Sequence, residues 1–169
     1  MRLTALYAAA TLLALWLQIE LAQWLPLGPL VPDLAVILVV DLGLRQHDGL
    51  APLLAFAIGY ALDAFSGAQL GLNAFSLTLI YLLIYELARH AWMMGAVIEP
   101  LLVGVATILH SGCVLALGNG LASLWPPPAR LLHAIILQAL IGILLAPLAF
   151  RLLAGCRRLL RLPARVAQE

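Results

Sequence analysis

The sequence predicts an all-α integral membrane protein, built as a compact bundle of six transmembrane helices. Three observations predict this fold class. The 169 residues are 64% hydrophobic and only 10% charged, whereas soluble domains carry about 25% charged residues. The apolar residues form long unbroken runs, while strands of a membrane barrel would alternate apolar and polar positions over about ten residues. Prolines, glycines and charged residues collect between the runs.

Six apolar runs account for about two thirds of the chain. A helix needs roughly 20 apolar residues to cross a bilayer core of about 30 Å. The second, third and fourth runs are shorter, so they need flanking residues or a locally thinner bilayer to cross. All six belong to one predicted domain, 1–169, which ends in a short basic cytoplasmic tail, 155–169. The predicted spans are 3–24, 30–44, 50–65, 72–85, 96–117 and 131–154.

Each run ends at a local break in the pattern. Pro26 closes the first run, and the polar segment 45–49 divides the second from the third. The turn 66–71 carries glycines suited to helix C-terminal positions, and segment 86–95 divides the fourth run from the fifth. The longest connection, 118–130, contains three consecutive prolines, which favour an extended and stiff segment over a further helix.

The arginines indicate which side of the membrane each connection faces. Positively charged residues concentrate on the cytoplasmic side, and an N terminus inside the cell leaves only Arg130 outside. We therefore expect both termini in the cytoplasm. A signal peptide is the alternative for the first run, but the run exceeds the usual length of roughly 7–15 residues and lacks a clear cleavage site. The arginines expected inside are Arg2, Arg45, Arg89, Arg151, Arg157, Arg158, Arg161 and Arg165.

Asp63 is the strongest candidate for a functional polar residue. It continues a row of small residues spaced four apart, which share one helix face and permit close approach of a neighbouring helix. We expect its carboxylate to accept hydrogen bonds from a helix end or from Asn73. Two interpretations stay open: a structural polar clamp, or a ligand-binding or proton-handling group. The row is Ala51, Ala55, Gly59, Asp63 and Gly67.

The turn after Asp63 supplies the rest of this predicted polar cluster. Gly71 permits an unusual backbone angle, and Asn73 is placed to cap the start of the fourth helix. Ser66 and Gly67 stand between them and Asp63. Such a cluster would orient a helical hairpin at the outer surface.

Other titratable residues have mainly structural interpretations. Glu20 and Asp33 lie at the outer ends of the first two spans, where solvation of helix ends accounts for them. His110 and His133 differ in depth by several ångströms, at about 1.5 Å per helical residue, so no shared metal site is expected. A neutral His110, hydrogen-bonded across helices, is the interpretation we favour.

The same composition excludes several functional classes. The net charge of +1 builds no field for binding nucleic acid. The chain has no H-E-x-x-H pair for zinc and no serine with an evident base beside it. We therefore expect no enzyme activity, no metal and no cofactor.

The C-terminal tail is rich in arginine. Arginine heads beside an apolar helix end can reach anionic lipid. We expect lipid or topology anchors here, and a docking site for a cytoplasmic protein is the alternative. The anchoring residues are Arg157, Arg158, Arg161 and Arg165.

Three motifs in the first half of the chain carry a resemblance to a known family. In order they are Pro32-Asp33-Leu34, Gly43-Leu44-Arg45 and Gly59-x3-Asp63-x2-Ser66-Gly67-x2-Leu70-Gly71-Leu72-Asn73. Together they resemble the bacterial rod-shape-determining protein MreD. The resemblance covers Pro32 to Asn73 in motifs and the rest of the chain in hydropathy and length. Ala51 and Ala55 stand where the family often places glycine or another residue.

The resemblance implies a non-enzymatic inner-membrane scaffold of the cell-elongation machinery, which supports peptidoglycan synthesis in the lateral wall and cell shape. It implies an MreC-like single-span partner, and work beside MreB, RodA and the elongation penicillin-binding protein. The implied fold is similar to the substrate-binding membrane subunit of energy-coupling-factor transporters. A subunit of such a vitamin transporter is the alternative function.

Overall fold

A computed structural model of the protein describes residues 2–24, 32–46, 49–66, 69–90, 97–118 and 128–159. Across these ranges the chain is all-helical, which confirms the all-α part of the predicted fold class, and each apolar run forms one helix. The helices are α1 (Arg2–Trp24), α2 (Leu34–Arg45), α3 (Ala51–Ser66), α4 (Leu72–His90), α5 (Ile98–Leu117) and α6 (Pro128–Leu159).

Two helices extend beyond the apolar runs that predicted them. α4 continues to His90, and α6 reaches Leu159 as one helix of 32 residues with Pro147 inside it. The beginning of the expected tail is therefore helical. Hydropathy marks only the apolar part of a helix, whereas backbone hydrogen bonding continues through the polar residues that follow.

Three helices are long and apolar enough to cross a membrane: α4, α5 and the Leu131–Leu159 part of α6. Large apolar side chains on several helices face outward, among them Leu13, Trp16 and Leu144. Contiguous apolar surface of this kind is rare on soluble monomers. The structure thus indicates a membrane protein.

Neighbouring helices along the chain run antiparallel. Gln18, near the end of α1, donates to the carbonyl of Pro32 just before α2, and Asp63 near the end of α3 bonds to Asn73 at the start of α4. The bundle therefore has two ends. The Asp63 end contains the starts of α2, α4 and α6, and the Arg157 end contains the start of α1 and the end of α6.

α2 forms the centre of the bundle. Nine consecutive residues from Ala35 to Gly43 are buried, and α2 contacts each of the other five helices. A helix that is buried on every face must be surrounded by protein. Asp33 caps its start, since the Asp33 Oδ1 atom accepts a hydrogen bond from the Val36 N–H at 3.2 Å.

The predicted row of small residues on α3 is buried, as expected. Ala51, Ala55, Gly59 and Asp63 all face the bundle. A Cβ atom at Gly59 would lie 2.5 Å from the Ala74 Cα atom, so α3 and α4 pack backbone against backbone. Gly67, the last member of the row, lies outside the described residues.

Candidate functional sites at the two ends of the bundle

Asp63 holds the start of α4 from the neighbouring helix. Its Oδ1 atom accepts hydrogen bonds from the Asn73 backbone N–H at 3.1 Å and the Asn73 Nδ2 atom at 2.9 Å. Its Oδ2 atom accepts from the backbone N–H groups of Gly71 at 2.9 Å and Ala74 at 3.1 Å. The first N–H groups of a helix lack partners within it, and a negative charge is favourable there. Asp63 thus caps α4 in place of a local residue.

The bonding of Asp63 favours the structural interpretation of this residue. A carboxylate offers about four acceptor positions, and these four bonds use that capacity while the residue is only 1% exposed. The sequence predicts that Asn73 caps the start of α4. The structure differs, because the Asn73 amide donates to Asp63 instead. Gly71 adopts a φ of 97°, which a residue with a side chain rarely adopts. Ser66 lies at the edge, with its hydroxyl 3.5 Å from the Asp63 carbonyl.

Of the two acids predicted at outer helix ends, Asp33 joins a second polar contact between helices. Its Oδ2 atom lies 3.3 Å from the His110 Nε2 atom, and the His110 Nδ1 atom lies 2.9 Å from the Ser76 hydroxyl. The expected hydrogen bond of His110 across helices is therefore confirmed. Ser76 is 1% exposed, so this contact orients the imidazole rather than presenting a nucleophile. Glu20 is half-buried towards the end of α1.

A cavity of about 420 Å³ opens beside this contact. Pockets for small molecules typically measure about 300–1,000 Å³ and combine apolar walls with a few polar groups. Both kinds of residue are present here. The polar lining is Gln18, Asp33, Asn73, His110, Ser111 and Gln138, and apolar lining includes Leu62, Val114, Leu131, Ala134 and Ile135.

A network of charged and polar side chains occupies the Arg157 end. Asp41 is fully buried and accepts hydrogen bonds from the Tyr7 hydroxyl and from the Arg45 Nε atom, both at 2.8 Å. Arg157 forms an ion pair with Asp41 and donates to the Tyr7 hydroxyl at 2.8 Å. Arg45 also bonds to Glu99 at 2.7 Å. The network ties α1, α2, α5 and α6 together.

The position of Arg157 corrects one sequence-based expectation. We expected its guanidinium at the lipid surface, but Arg157 is 5% exposed and lies over the ring of Tyr7. The reason is that α6 continues past residue 154 and turns this side chain towards the buried carboxylate of Asp41. Arg158 is exposed, and an anchoring role for it stays a prediction. Arg161 and Arg165 lie outside the described residues.

Within the described ranges, no group of three or more His, Cys, Asp or Glu side chains is arranged to hold a metal ion. The chain matches no protein-family model, and neither the curated proteins nor the solved structures include a significant match to it.

Proposed function

We propose that the protein is a non-enzymatic scaffold subunit of the bacterial cell-elongation machinery, held in the inner membrane by six spans. It binds an MreC-like single-span partner and supports peptidoglycan synthesis in the lateral wall. RodA, the elongation penicillin-binding protein and MreB are further expected neighbours.

The observation that supports this proposal most strongly is the contact of Asp63 with Gly71, Asn73 and Ala74, which we call the Asp63 clamp. The longest motif of the resemblance to MreD runs from Gly59 to Asn73, and four of its members, Gly59, Asp63, Gly71 and Asn73, meet in one contact. Gly59 permits the close approach of α4, while Gly71 and Asn73 donate to Asp63. The spacing of these motif residues serves one contact between α3 and α4, which supports a fold in common with MreD. Because the acceptor capacity of Asp63 is used within the bundle, the motif supports a structural role rather than catalysis.

The distribution of arginine supports the proposed orientation. The described arginine side chains all lie on the parts of their helices nearest the Arg157 end. Positive residues concentrate on the cytoplasmic side, so this end is the one we propose to face the cytoplasm. α2 is only 12 residues long, about 18 Å at 1.5 Å per residue. Its five neighbours surround it, so its length need not match the bilayer. The arginines concerned are Arg45, Arg89, Arg151, Arg157 and Arg158.

One observation favours the second candidate, a substrate-binding subunit of an energy-coupling-factor vitamin transporter. Such a subunit needs a pocket where polar groups converge, and the cavity beside Asp33 and His110 has that character. The two candidates differ in their partners, because a transporter subunit assembles with an ATPase pair and a coupling subunit.

Purification of the tagged full chain from its native membrane in mild detergent, followed by mass spectrometry, distinguishes the candidates. We expect an MreC-like chain and the elongation penicillin-binding protein to co-purify. An unrelated six-helix membrane protein, purified in the same way from the same cells, is the control for non-specific recovery. An ATPase pair with a coupling subunit, or recovery no greater than in the control, would overturn the scaffold proposal.

A further inference from the structure

We propose that the cavity at the Asp63 end binds a small organic cation, namely an amine attached to an apolar body. This site is additional to the scaffold role and does not depend on it. Three features of the cavity indicate this ligand class. They are the helices that line it, its acidic residue without a nearby arginine or lysine, and its unused hydrogen-bond acceptors.

The cavity is built by side chains from several separate helices. Gln18 comes from α1, Asn73 from α4 and Gln138 from α6, while His110 and Ser111 come from α5. Such convergence requires the assembled bundle. The apolar walls come from α3, α5 and α6, so the space suits a molecule with one polar end and one apolar end.

The charge of the described lining favours a cation. Asp33 and His110 are its titratable residues, and the lining contains no arginine or lysine. In the tautomer in which Ser76 donates to the His110 Nδ1 atom, the Nε2 atom carries the proton and donates to Asp33. The acidic group of the lining is then that of Asp33, and an anionic ligand would face it without an arginine or lysine as partner.

Acceptors with spare capacity lie beside this charge. Asp33 uses one bond to cap α2 and one contact to His110, of about four that a carboxylate can accept. Gln18 donates through its Nε2 atom to the Pro32 carbonyl at 3.0 Å, which holds a second polar side chain in the lining. An ammonium group brings three donors, which suits the unused acceptor positions of Asp33.

The first experiment uses the full chain in lipid nanodiscs and 2-phenylethylamine as the probe, with calorimetry against empty nanodiscs. Two compounds of the same shape serve as comparisons: neutral 2-phenylethanol and the anion phenylacetate. We expect saturable binding of the amine. Its binding should be at least about tenfold tighter than that of the alcohol, because the neutral alcohol cannot form a desolvated charge pair with Asp33. Saturable binding of phenylacetate as tight as that of the amine would overturn the proposal, as would amine binding no greater than to empty nanodiscs.

Two variants test whether the amine occupies this cavity. Asp33→Asn removes the charge and keeps a good cap for α2, so we expect amine affinity to fall at least about tenfold. Ala134→Phe fills the cavity and should abolish binding. Ala116→Phe, on an exposed position of α5, is the matched control and should bind as the wild type does. Equal affinity in Ala134→Phe and Ala116→Phe, or unchanged affinity in Asp33→Asn, would overturn the assignment. Neither result bears on co-purification of partners.

Discussion

A single carboxylate, that of Asp63, joins two helices by satisfying the backbone at the start of one of them. Its acceptor role was predictable, because the row of small residues ended in an acid and Asn73 followed the turn. The identity of the capping residue was not. A local cap has a recognisable spacing from the helix start, whereas Asp63 reaches α4 from α3 and only the packing of the two helices brings it there.

We predict that Asp63→Asn destabilises the bundle. One acceptor oxygen becomes an amide donor that faces N–H groups, so donors such as the Gly71 or Ala74 backbone lose their partner. We expect the free energy of unfolding to fall by about 2–4 kcal/mol, the range for disrupting buried charged hydrogen bonds. Denaturant unfolding in detergent, followed by circular dichroism, measures the change.

Glu86→Gln is the matched control for this substitution. Glu86 is exposed and pairs only with exposed His90 on the same helix face among the contacts described, and exposed ion pairs contribute little. We therefore expect wild-type stability. An Asp63→Asn protein as stable as Glu86→Gln would show that the clamp does not hold α4.

At the scale of helices, Gly59 sets the distance between α3 and α4. A Cβ atom there would lie 2.5 Å from the Ala74 Cα atom and 2.6 Å from the Asn73 carbonyl oxygen. These are backbone atoms of a helix, so the clash cannot be relieved by rotating a side chain. The two helices would have to separate, which would also lengthen the hydrogen bonds to Asp63.

We predict that Gly59→Ala lowers the free energy of unfolding by about 1–3 kcal/mol, as overpacking does in other cores. Helix propensity alone predicts the opposite sign, since alanine is favoured over glycine by about 1 kcal/mol. Gly112→Ala on α5 is the control, because within the described part of the chain no atom outside its own stretch of helix lies within 4 Å of the added Cβ. Thermal unfolding in the same detergent compares them. If Gly59→Ala were as stable as Gly112→Ala, backbone contact between α3 and α4 would be refuted.

The sequence predicted the helices better than their lengths or contacts. Long apolar runs separated by proline, glycine and charge indicate where helices lie, and the four-residue spacing identified the buried face of α3. The network at the Arg157 end was only partly visible. Asp41 and Arg45 are spaced to pair on one helix, but nothing in the local pattern indicated that Arg157 would reach Asp41 and Tyr7. That contact joins opposite ends of the chain and depends on the assembled bundle.

At the scale of the whole molecule, the hydrogen bond from Arg157 to Tyr7 brings the start of α1 and the end of α6 to the same end of the bundle. If all six helices span the membrane, the chain crosses it an even number of times. The start of α1 and the end of α6 are then on the same side. The outward apolar surface of the bundle then faces lipid, and in the orientation we propose the buried charges of the Arg157 end lie near the cytoplasm. A bundle in which only α4, α5 and α6 cross would put the start of α1 and the end of α6 on opposite sides.

The six-span bundle is tested most directly by labelling single cysteines with a membrane-impermeant maleimide, in intact spheroplasts and in inverted vesicles. Cys113 and Cys156 are first replaced by serine. We predict that cysteines at positions 28, 68 and 119 label from outside the cell, and those at positions 48 and 93 from the cytoplasmic side. Labelling of positions 28, 48 and 68 from one and the same side would contradict the six-span bundle.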